Sequence, residues 1–252
     1  MERLLYRLSC SAHAGSFVLK GALLFRVWDV PDSRATRDVD LLAFMNNSPE
    51  NLAAVIREIC TIEGDDGLVF DPDSVGADAI KEGTDYEGVR VRFRELLGRA
   101  RITMQVDVGF GDKVYPAVVE ADYPVILDLP APSLRMYPPV TVVAEKVEAM
   151  IHLGSLNSRM KDFYDVWRLS QQFEFDPVIL SEAIRLTLKN RKTKLTRCNE
   201  LTADLLENDS SEKQWSAFLS KSAVTGPESF RGVLEQIAIF LDPLFERIYH
   251  VE

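Results

Sequence analysis

Two aspartates separated by one valine, Asp38-Val39-Asp40, stand at the head of an apolar run that reaches Phe44. In a β-strand, residues i and i+2 lie on the same face, so the pattern predicts both carboxylates on one face and Val39 in the core. Two adjacent carboxylates repel each other unless a cation lies between them. Oxygen ligands in this arrangement suit Mg²⁺. We therefore expect a strand that carries a magnesium site formed by Asp38 and Asp40.

A second apolar run begins at Phe17 and ends at Lys20-Gly21, upstream of the two aspartates. Glycine lets the backbone turn tightly and come close to a phosphate group. The segment 22–28 then predicts a helix that ends at Val30-Pro31, because a residue before proline avoids the helical conformation. The order is therefore a strand, a glycine turn, a helix, a polar loop and the strand with the two carboxylates.

This stretch resembles the nucleotidyltransferase superfamily, and within it the AbiEii/AbiGii toxins of type IV toxin–antitoxin systems, including the MenT-like group. Those toxins have a KGG-like turn followed by R-x-[ST]-x-D-hydrophobic-D, and residues 34–40 (RATRDVD) fit every position. The resemblance implies an NTP substrate and Mg²⁺, with Lys20, Gly21 and Thr36 at the nucleotide. Ala22 departs from the pattern, because the superfamily usually has Gly or Ser there to bond the triphosphate. One phosphate contact is therefore expected to be missing or to come from the backbone.

A hairpin pattern in the middle of the chain carries a third acidic candidate. Apolar residues alternate with arginines in its first strand, at Val89, Val91 and Phe93 and at Arg90, Arg92 and Arg94. In its second strand, Asp107 lies between Val106 and Val108, and an acid is costly to bury unpaired, so we expect Asp107 to face a cleft. The superfamily keeps its third metal-binding carboxylate in this place, and the resemblance implies that Asp107 joins Asp38 and Asp40. An aspartate that merely ends a strand near a turn is the alternative.

Two charged motifs lie in amphipathic helices further along the chain, Glu145-Lys146 and residues 159–165 (RMKDFYD). AbiEii toxins have a similar E-K-hydrophobic helix followed by K-D-x-x-D, and the resemblance implies that Lys146 and Asp162 belong to the active site. A fixed lysine would stabilise the charge that builds up on departing pyrophosphate. Asp162 would orient that lysine or act as a general base. Without the resemblance, Lys146 reads as a solvated charge and Asp162 as an acid at a helix N-terminus.

The composition changes at Pro138-Pro139, which we take as a domain boundary. Strand and helix patterns mix before it, whereas the pattern after it is helical almost throughout. We therefore predict an α+β fold, in which the resemblance implies a polymerase-β-like mixed-sheet core at residues 1–138. Residues 139–252 are predicted to form a helical domain that completes the active site. The acidic, glycine-containing stretch 63–87 is expected to be a solvated surface insertion.

Composition restricts the class of protein and its partners. A chain of 252 residues with 46% hydrophobic and 27% charged residues is typical of a soluble globular protein. It has no apolar run long enough to span a membrane, and its N-terminus does not read as a signal sequence. Three widely spaced cysteines favour a reducing cytoplasm and argue against disulfides or a zinc site.

The net charge of −10 limits nucleic-acid binding to a local basic patch. The one local patch that we expect to hold a polyanion is the basic run, residues 185–197, which carries six basic residues and no acid. If the acceptor is an RNA, we expect this run to help bind it. A solvated helix end is the plainer interpretation.

Three functions remain compatible with the sequence. The first is a Mg²⁺-dependent transferase that moves a nucleotidyl group from an NTP to an acceptor hydroxyl. For it, the resemblance implies the 3′ end of tRNA as acceptor and a cognate antitoxin as partner. The second is the same core acting on a small molecule or a protein. The third is a degenerate nucleotide-binding module, which Ala22 keeps open although the five predicted catalytic residues argue against it.

Overall fold

The computed structural model describes residues 1–81, 87–206 and 210–250, and the chain divides into two units. The first, called the sheet unit here, comprises residues 1–29, 35–112 and 118–137. The second, called the helical unit, comprises residues 30–34, 113–117 and 138–252. The domain assignment of 1–138 and 139–252 stays a prediction, since the two short segments of the helical unit come from the N-terminal half.

Seven strands in the described part of the chain form one sheet within the sheet unit. The strands are β1 (Phe17–Lys20), β2 (Asp38–Ala43), β3 (Leu68–Lys81), β4 (Glu87–Leu97), β5 (Ala100–Phe110), β6 (Val119–Asp122) and β7 (Ser133–Met136). Their order across the sheet is β3-β4-β5-β2-β1-β7-β6. Strand β2 is antiparallel to β1 and parallel to β5, so the sheet is mixed. The predicted α+β fold is thereby confirmed.

Three α-helices accompany the sheet in the described residues of this unit: α1 (Glu2–Cys10), α2 (Leu24–Val27) and α3 (Pro49–Cys60). Helix α3 begins where Ser48 accepts a hydrogen bond from the Asn51 amide and Pro49 occupies the first turn. Helix α2 is shorter than predicted, because a 3₁₀ turn at Gly21–Leu23 takes up the first part of the segment. This turn connects the end of β1 directly to α2.

The acidic stretch expected to be a surface insertion forms strand β3 instead, and that prediction is wrong for Leu68–Lys81. Strand β3 pairs with β4 in antiparallel register, with an irregularity between Asp71 and Gly76. Its apolar residues Phe70 and Val75 are buried, while the acids occupy more exposed positions. Pairing with the next strand of the chain and burial of the apolar side chains therefore outweigh the acidic composition. Residues 82–86 of the stretch lie outside the described residues.

The helical unit contains six α-helices in its described residues. They are α4 (Pro139–Leu153), α5 (Met160–Gln172), α6 (Pro177–Arg191), α7 (Cys198–Leu206), α8 (Ser211–Ser222) and α9 (Phe230–Tyr249). Aromatic rings hold its core together: the ring of Phe163 meets that of Phe230 edge-on at 5.0 Å, and the buried Trp215 lies beside Phe230 and Tyr164. Across the described helices, none combines the length and apolarity that a bilayer-spanning segment needs.

Candidate active site

Charged residues form a row across four neighbouring strands of the sheet unit. Asp40 on β2 pairs in register with Lys20 on β1 and with Asp107 on β5. Asp107 in turn pairs with Arg90 on β4. Residues directly opposite each other on paired strands point to the same face of a sheet. The row therefore places two of the predicted carboxylates and the predicted phosphate-binding lysine on one face.

Asp38 lies on the same face as Asp40, because the two are separated by one residue of β2. Val39 between them is 1% exposed, whereas both aspartates are partly exposed. The predicted alternation of Asp38, Val39 and Asp40 is confirmed. Its physical cause is the burial of Val39 in the core, which turns both carboxylates outward.

Asp107 is held by an arginine that the sequence analysis did not assign to the site. The guanidinium of Arg90 donates from Nε and Nη2 to the two carboxylate oxygens, at 2.7 Å each. Gln105 Nε2 also donates to Asp107 Oδ2, at 3.4 Å. A bidentate contact of this kind is among the strongest polar contacts in proteins. Both oxygens of Asp107 are therefore engaged, and it would bind a metal only by sharing its carboxylate with Arg90.

The donor set can be compared with what Mg²⁺ requires. Over residues 1–81, 87–206 and 210–250, no cluster of three or more His, Cys, Asp or Glu side chains is arranged to hold a metal ion. Mg²⁺ is usually bound by one or two carboxylates, together with waters and substrate phosphates. Asp38 and Asp40 supply two carboxylates on one strand face, which fits that requirement. The predicted third ligand, Asp107, fits it only if its contact with Arg90 is shared.

Gly21 lies against Asp40, and its backbone has a φ of +75°. A Cβ atom at position 21 would come within 2.1 Å of Asp40 Oδ2 and 2.8 Å of Asp40 Cβ. Glycine is therefore required here for two reasons: the backbone has a positive φ, and the Asp40 side chain occupies the space that a Cβ atom would need. Next to it, the side chain of Ala22 is a methyl group and is 6% exposed, so the side chain offers no polar group to a ligand.

Lys20 has a buried partner that sequence reasoning missed. Its Nζ donates to Asp112 Oδ2 at 2.8 Å, and the side chain of Asp112 is 2% exposed. Nζ also lies 5.5 Å from the centre of the Tyr137 ring. These contacts fix the direction of the lysine. The remaining nucleotide candidate, Thr36, exchanges 3.4 Å hydrogen bonds with the backbone of Asp38 and so shapes the entry to β2.

The helical unit contains a buried charge cluster around Lys146 of α4. Its Nζ lies 2.9 Å from Asp162 Oδ1 and 2.7 Å from Asp165 Oδ2, both on α5. Burial acts to lower the pKa of Lys146, but the two carboxylates outweigh it and raise that pKa. Burial acts in the opposite sense on Asp162, yet Lys146 and Arg159 hold the pKa of Asp162 below its usual range. Lys146, whose side chain is 12% exposed, is therefore a largely buried cation, and the interpretation as a solvated charge is wrong.

Asp165 and Arg34 complete this cluster, although the sequence analysis gave neither a role. Arg34 donates from Nε to Asp165 Oδ1 at 3.0 Å and from Nη2 to Oδ2 at 2.8 Å. Asp165 has no exposed surface, and it follows Asp162 by three residues, so both side chains lie on one face of α5. That spacing was the available signal. Arg34 lies 131 residues earlier in the chain. It is the first residue of the 34–40 motif, but nothing in that motif links it to Asp165.

The sequence-predicted site residues thus fall into two groups, each described within its own unit. Lys20, Gly21, Thr36, Asp38, Asp40 and Asp107 belong to the sheet unit, and Lys146 and Asp162 belong to the helical unit. Their catalytic roles stay predictions.

Comparison with known proteins identifies the family. The profile described as "Nucleotidyl transferase AbiEii toxin, Type IV TA system" matches residues 3–236. No curated protein is significantly similar in sequence.

Two solved structures from Helicobacter pylori share the fold. JHP933 has a TM-score of 0.51 at 14% sequence identity, over 99% of this chain and 90% of that chain. A protein provisionally described as a nucleotidyltransferase has the same TM-score and identity, over 99% and 94%. At such low identity these structures show the fold alone. Since the family profile covers most of its length, the chain belongs to the AbiEii nucleotidyl transferase toxins of type IV toxin–antitoxin systems.

Proposed function

We propose that this nucleotidyltransferase uses Mg²⁺ to move a nucleotidyl group from an NTP to the 3′ end of a tRNA. The observation that carries the proposal is the row on one sheet face in which Lys20, Asp40 and Asp107 lie in register, with Asp38 beside them. A lysine beside paired carboxylates combines a direct contact for phosphate with ligands for a hard cation.

Four residues of the sheet unit have a defined part in this proposal. Asp38 and Asp40 would hold Mg²⁺, which when bound neutralises charge on the triphosphate. Lys20 and the backbone at Gly21 bind the phosphates, because the 3₁₀ turn and α2 begin directly after β1. The acceptor oxygen forms a bond to the α-phosphorus while the bond to the β-phosphate oxygen breaks and pyrophosphate leaves. The hydroxyl proton passes to water.

In the helical unit, Lys146 stabilises the charge on departing pyrophosphate. Asp162 orients Lys146. Its carboxylate contacts both Lys146 and Arg159, which keep the pKa of Asp162 low, so Asp162 is a poor general base. This supports the orienting role over the general-base role that the sequence left open.

The acceptor is proposed from the basic run and from the toxin family. Three members of the run contact acids: Arg185 contacts Glu182, Arg191 contacts Glu148, and Arg197 contacts Glu246 at 3.8 Å. Four members are exposed, namely Lys189, Lys192, Lys194 and Arg197. These exposed cations support binding of a polyanion such as tRNA. The type IV family also implies a cognate antitoxin. Three free cysteines support action in the cytoplasm.

The experiment is incubation with each α-labelled NTP in turn and total tRNA, with Mg²⁺ or with a chelator, followed by gel separation. We expect label in tRNA with at least one NTP, and only when the metal is present. Label that appears in a small molecule or in protein, with tRNA unlabelled, would contradict the proposed acceptor. Labelling that persists in the chelator would contradict the proposed role of Mg²⁺.

A further inference from the structure

The sheet face that carries the carboxylate row continues outward along β4 and β5. Arg92 lies two residues after Arg90 on β4 and pairs with Gln105 of β5. Arg94 lies two residues after Arg92 and pairs with Thr103. Alternate residues of a strand share a face, and successive rows are about 6.8 Å apart. Arg92 and Arg94 therefore extend in even steps from the row that contains Asp107.

This extension faces solvent because the intervening residues of β4 are buried. Val89, Val91 and Phe93 are 2%, 0% and 1% exposed, and α3 packs against β3 and β4. The side chains of Arg92 and Arg94, on the other face, are 49% and 54% exposed.

The charge of this region differs from that of the whole chain. Residues 88–106 contain five arginines and one acid, Glu95, in a chain of net charge −10. Glu95 is buried and, by the alternation of β4, lies on the opposite face. Arg99 and Arg101, at the β4–β5 turn, are exposed. Asp71 and Asp78 of the neighbouring β3 contact Arg94 and Arg92. The outer end of the hairpin is therefore a second arginine-rich surface, distinct from the basic run of the helical unit.

The present partners of these arginines leave them available to a ligand. Arg92 Nε donates to Gln105 Oε1 at 3.1 Å, and Arg92 Nη1 forms an exposed ion pair with Asp78 Oδ2 at 3.8 Å. Arg94 Nη2 donates to Asp71 Oδ2 at 2.8 Å. Exposed ion pairs of this kind contribute little to stability, since water and salt screen them. A phosphate offers the guanidinium the same two-point contact as a carboxylate, so it can replace Asp71 without leaving a buried charge unpaired.

We propose that Arg92, Arg94, Arg99 and Arg101, called the arginine face here, bind the sugar–phosphate backbone of the RNA acceptor next to the carboxylates. The inference rests on the proposed function and adds to it the route of the acceptor strand. A single RNA strand fits because its phosphates repeat along the chain as the arginines repeat along β4. The face also leads directly to the row at which the terminal hydroxyl would react.

The test is the double variant R92Q/R94Q, in which glutamine keeps the start of the aliphatic stem and a polar end and removes two charges. The matched control is K213Q/K221Q, which removes two exposed charges from α8. Binding of a single-stranded RNA is measured by fluorescence anisotropy as a function of salt, and transfer to tRNA is measured in parallel. Thermal unfolding verifies that each variant folds.

We expect R92Q/R94Q to weaken RNA binding by about tenfold or more, because two charge-assisted contacts are lost. The log–log salt slope should flatten by about 1.4, at about 0.7 per phosphate contact with a single strand. NTP binding should not change. R92K/R94K should recover most of the salt dependence, because lysine keeps the positive charge and loses only the two-point contact of the guanidinium.

The outcomes separate this inference from the proposed function. If R92Q/R94Q binds RNA as tightly as K213Q/K221Q, the arginine face is not the acceptor route, even when wild type labels tRNA normally. If wild type labels no tRNA while R92Q/R94Q still loses RNA affinity, the arginine face stands and the proposed acceptor fails. Unchanged RNA affinity together with lost affinity for an acidic protein partner would overturn the inference in favour of a protein interface.

Discussion

Gly21 and Asp40 are packed so closely that a methyl group on Gly21 would lie 2.1 Å from the Asp40 carboxylate. The contact joins the turn that follows β1 to the strand that carries the two outward-facing aspartates. It places the proposed phosphate-binding backbone directly beside a proposed metal ligand. Position 21 therefore requires a residue without a Cβ atom, both for lack of space and because its φ is positive.

Gly21→Ala should reduce transfer strongly, because the new methyl group must displace the Asp40 carboxylate or move the turn. Overpacking and a positive φ each cost about 1–3 kcal/mol. Gly15→Ala is the matched control, since no atom lies within 4 Å of a Cβ built there. Transfer rates and chemical unfolding of both variants measure the effect. Equal activity of the two variants would mean that the Gly21–Asp40 contact is not needed.

Lys146→Ala should lower turnover by about 10²–10³, the usual cost of removing one electrostatic contact to a transition state. The substitution also leaves Asp162 and Asp165 with one cation fewer, so stability should fall as well. Acceptor binding should change much less than turnover. Lys161→Ala, which removes an exposed charge from α5, is the control. If the Lys146→Ala variant folds and keeps near-normal turnover, the cluster around Lys146 has only a structural role.

Stability should depend on pH through a buried ion pair in the sheet unit. Arg7 donates to both oxygens of Asp66, at 2.6 and 2.9 Å, and these hydrogen bonds hold the pKa of Asp66 below its usual range. A carboxyl group whose pKa is lower in the folded state than in the unfolded state stabilises the fold at pH values above the unfolded-state pKa of about 3.9. That stabilisation is lost as the pH falls through the folded-state pKa. Asp66→Asn should therefore be less stable than wild type at pH 7, and the difference should shrink below about pH 4. Unfolding curves of both proteins from pH 3 to 7 test this, and a constant difference would contradict it.

The basic run makes a separate prediction about the acceptor. Removing Lys192 and Lys194 together should weaken tRNA binding and flatten the log–log salt slope by up to about two, at somewhat under one per phosphate contact. NTP binding should survive, because neither lysine is assigned to the nucleotide. Filter binding at several salt concentrations measures both effects. Normal binding and modification of tRNA would make the run a solvated helix end.

Local patterns predicted the local parts of this structure. The alternation of Asp38, Val39 and Asp40 and the start of α3 at Ser48-Pro49 follow from neighbouring residues, and both are present. The alternating arginines of β4 predicted a hairpin, and they also carried the signal for the arginine face, which a focus on the basic run overlooked.

Contacts between distant residues could not be predicted in this way. Asp112 meets Lys20 across 92 residues and Asp165 meets Arg34 across 131 residues, and periodicity contains no information about either pair. Strand β3 differs from the expectation for another reason: its acidic composition favours a loop, whereas its pairing with the adjacent β4 makes it a strand. The alternating pattern marks Arg90, which binds Asp107, only as part of the polar face of a strand.

The central claim is that Asp38 and Asp40 hold the Mg²⁺ at which nucleotidyl transfer occurs, and Asp40→Asn tests it most directly. Single-turnover transfer from a labelled NTP is measured in Mg²⁺ for wild type, for Asp40→Asn and for Asp73→Asn, which changes an exposed aspartate of the same unit by the same charge. A metal contributes several kcal/mol of transition-state stabilisation, so Asp40→Asn should lose at least about 100-fold in rate. It should still unfold at the wild-type temperature, and Asp73→Asn should keep the wild-type rate. Wild-type transfer by a folded Asp40→Asn would contradict the two-carboxylate site.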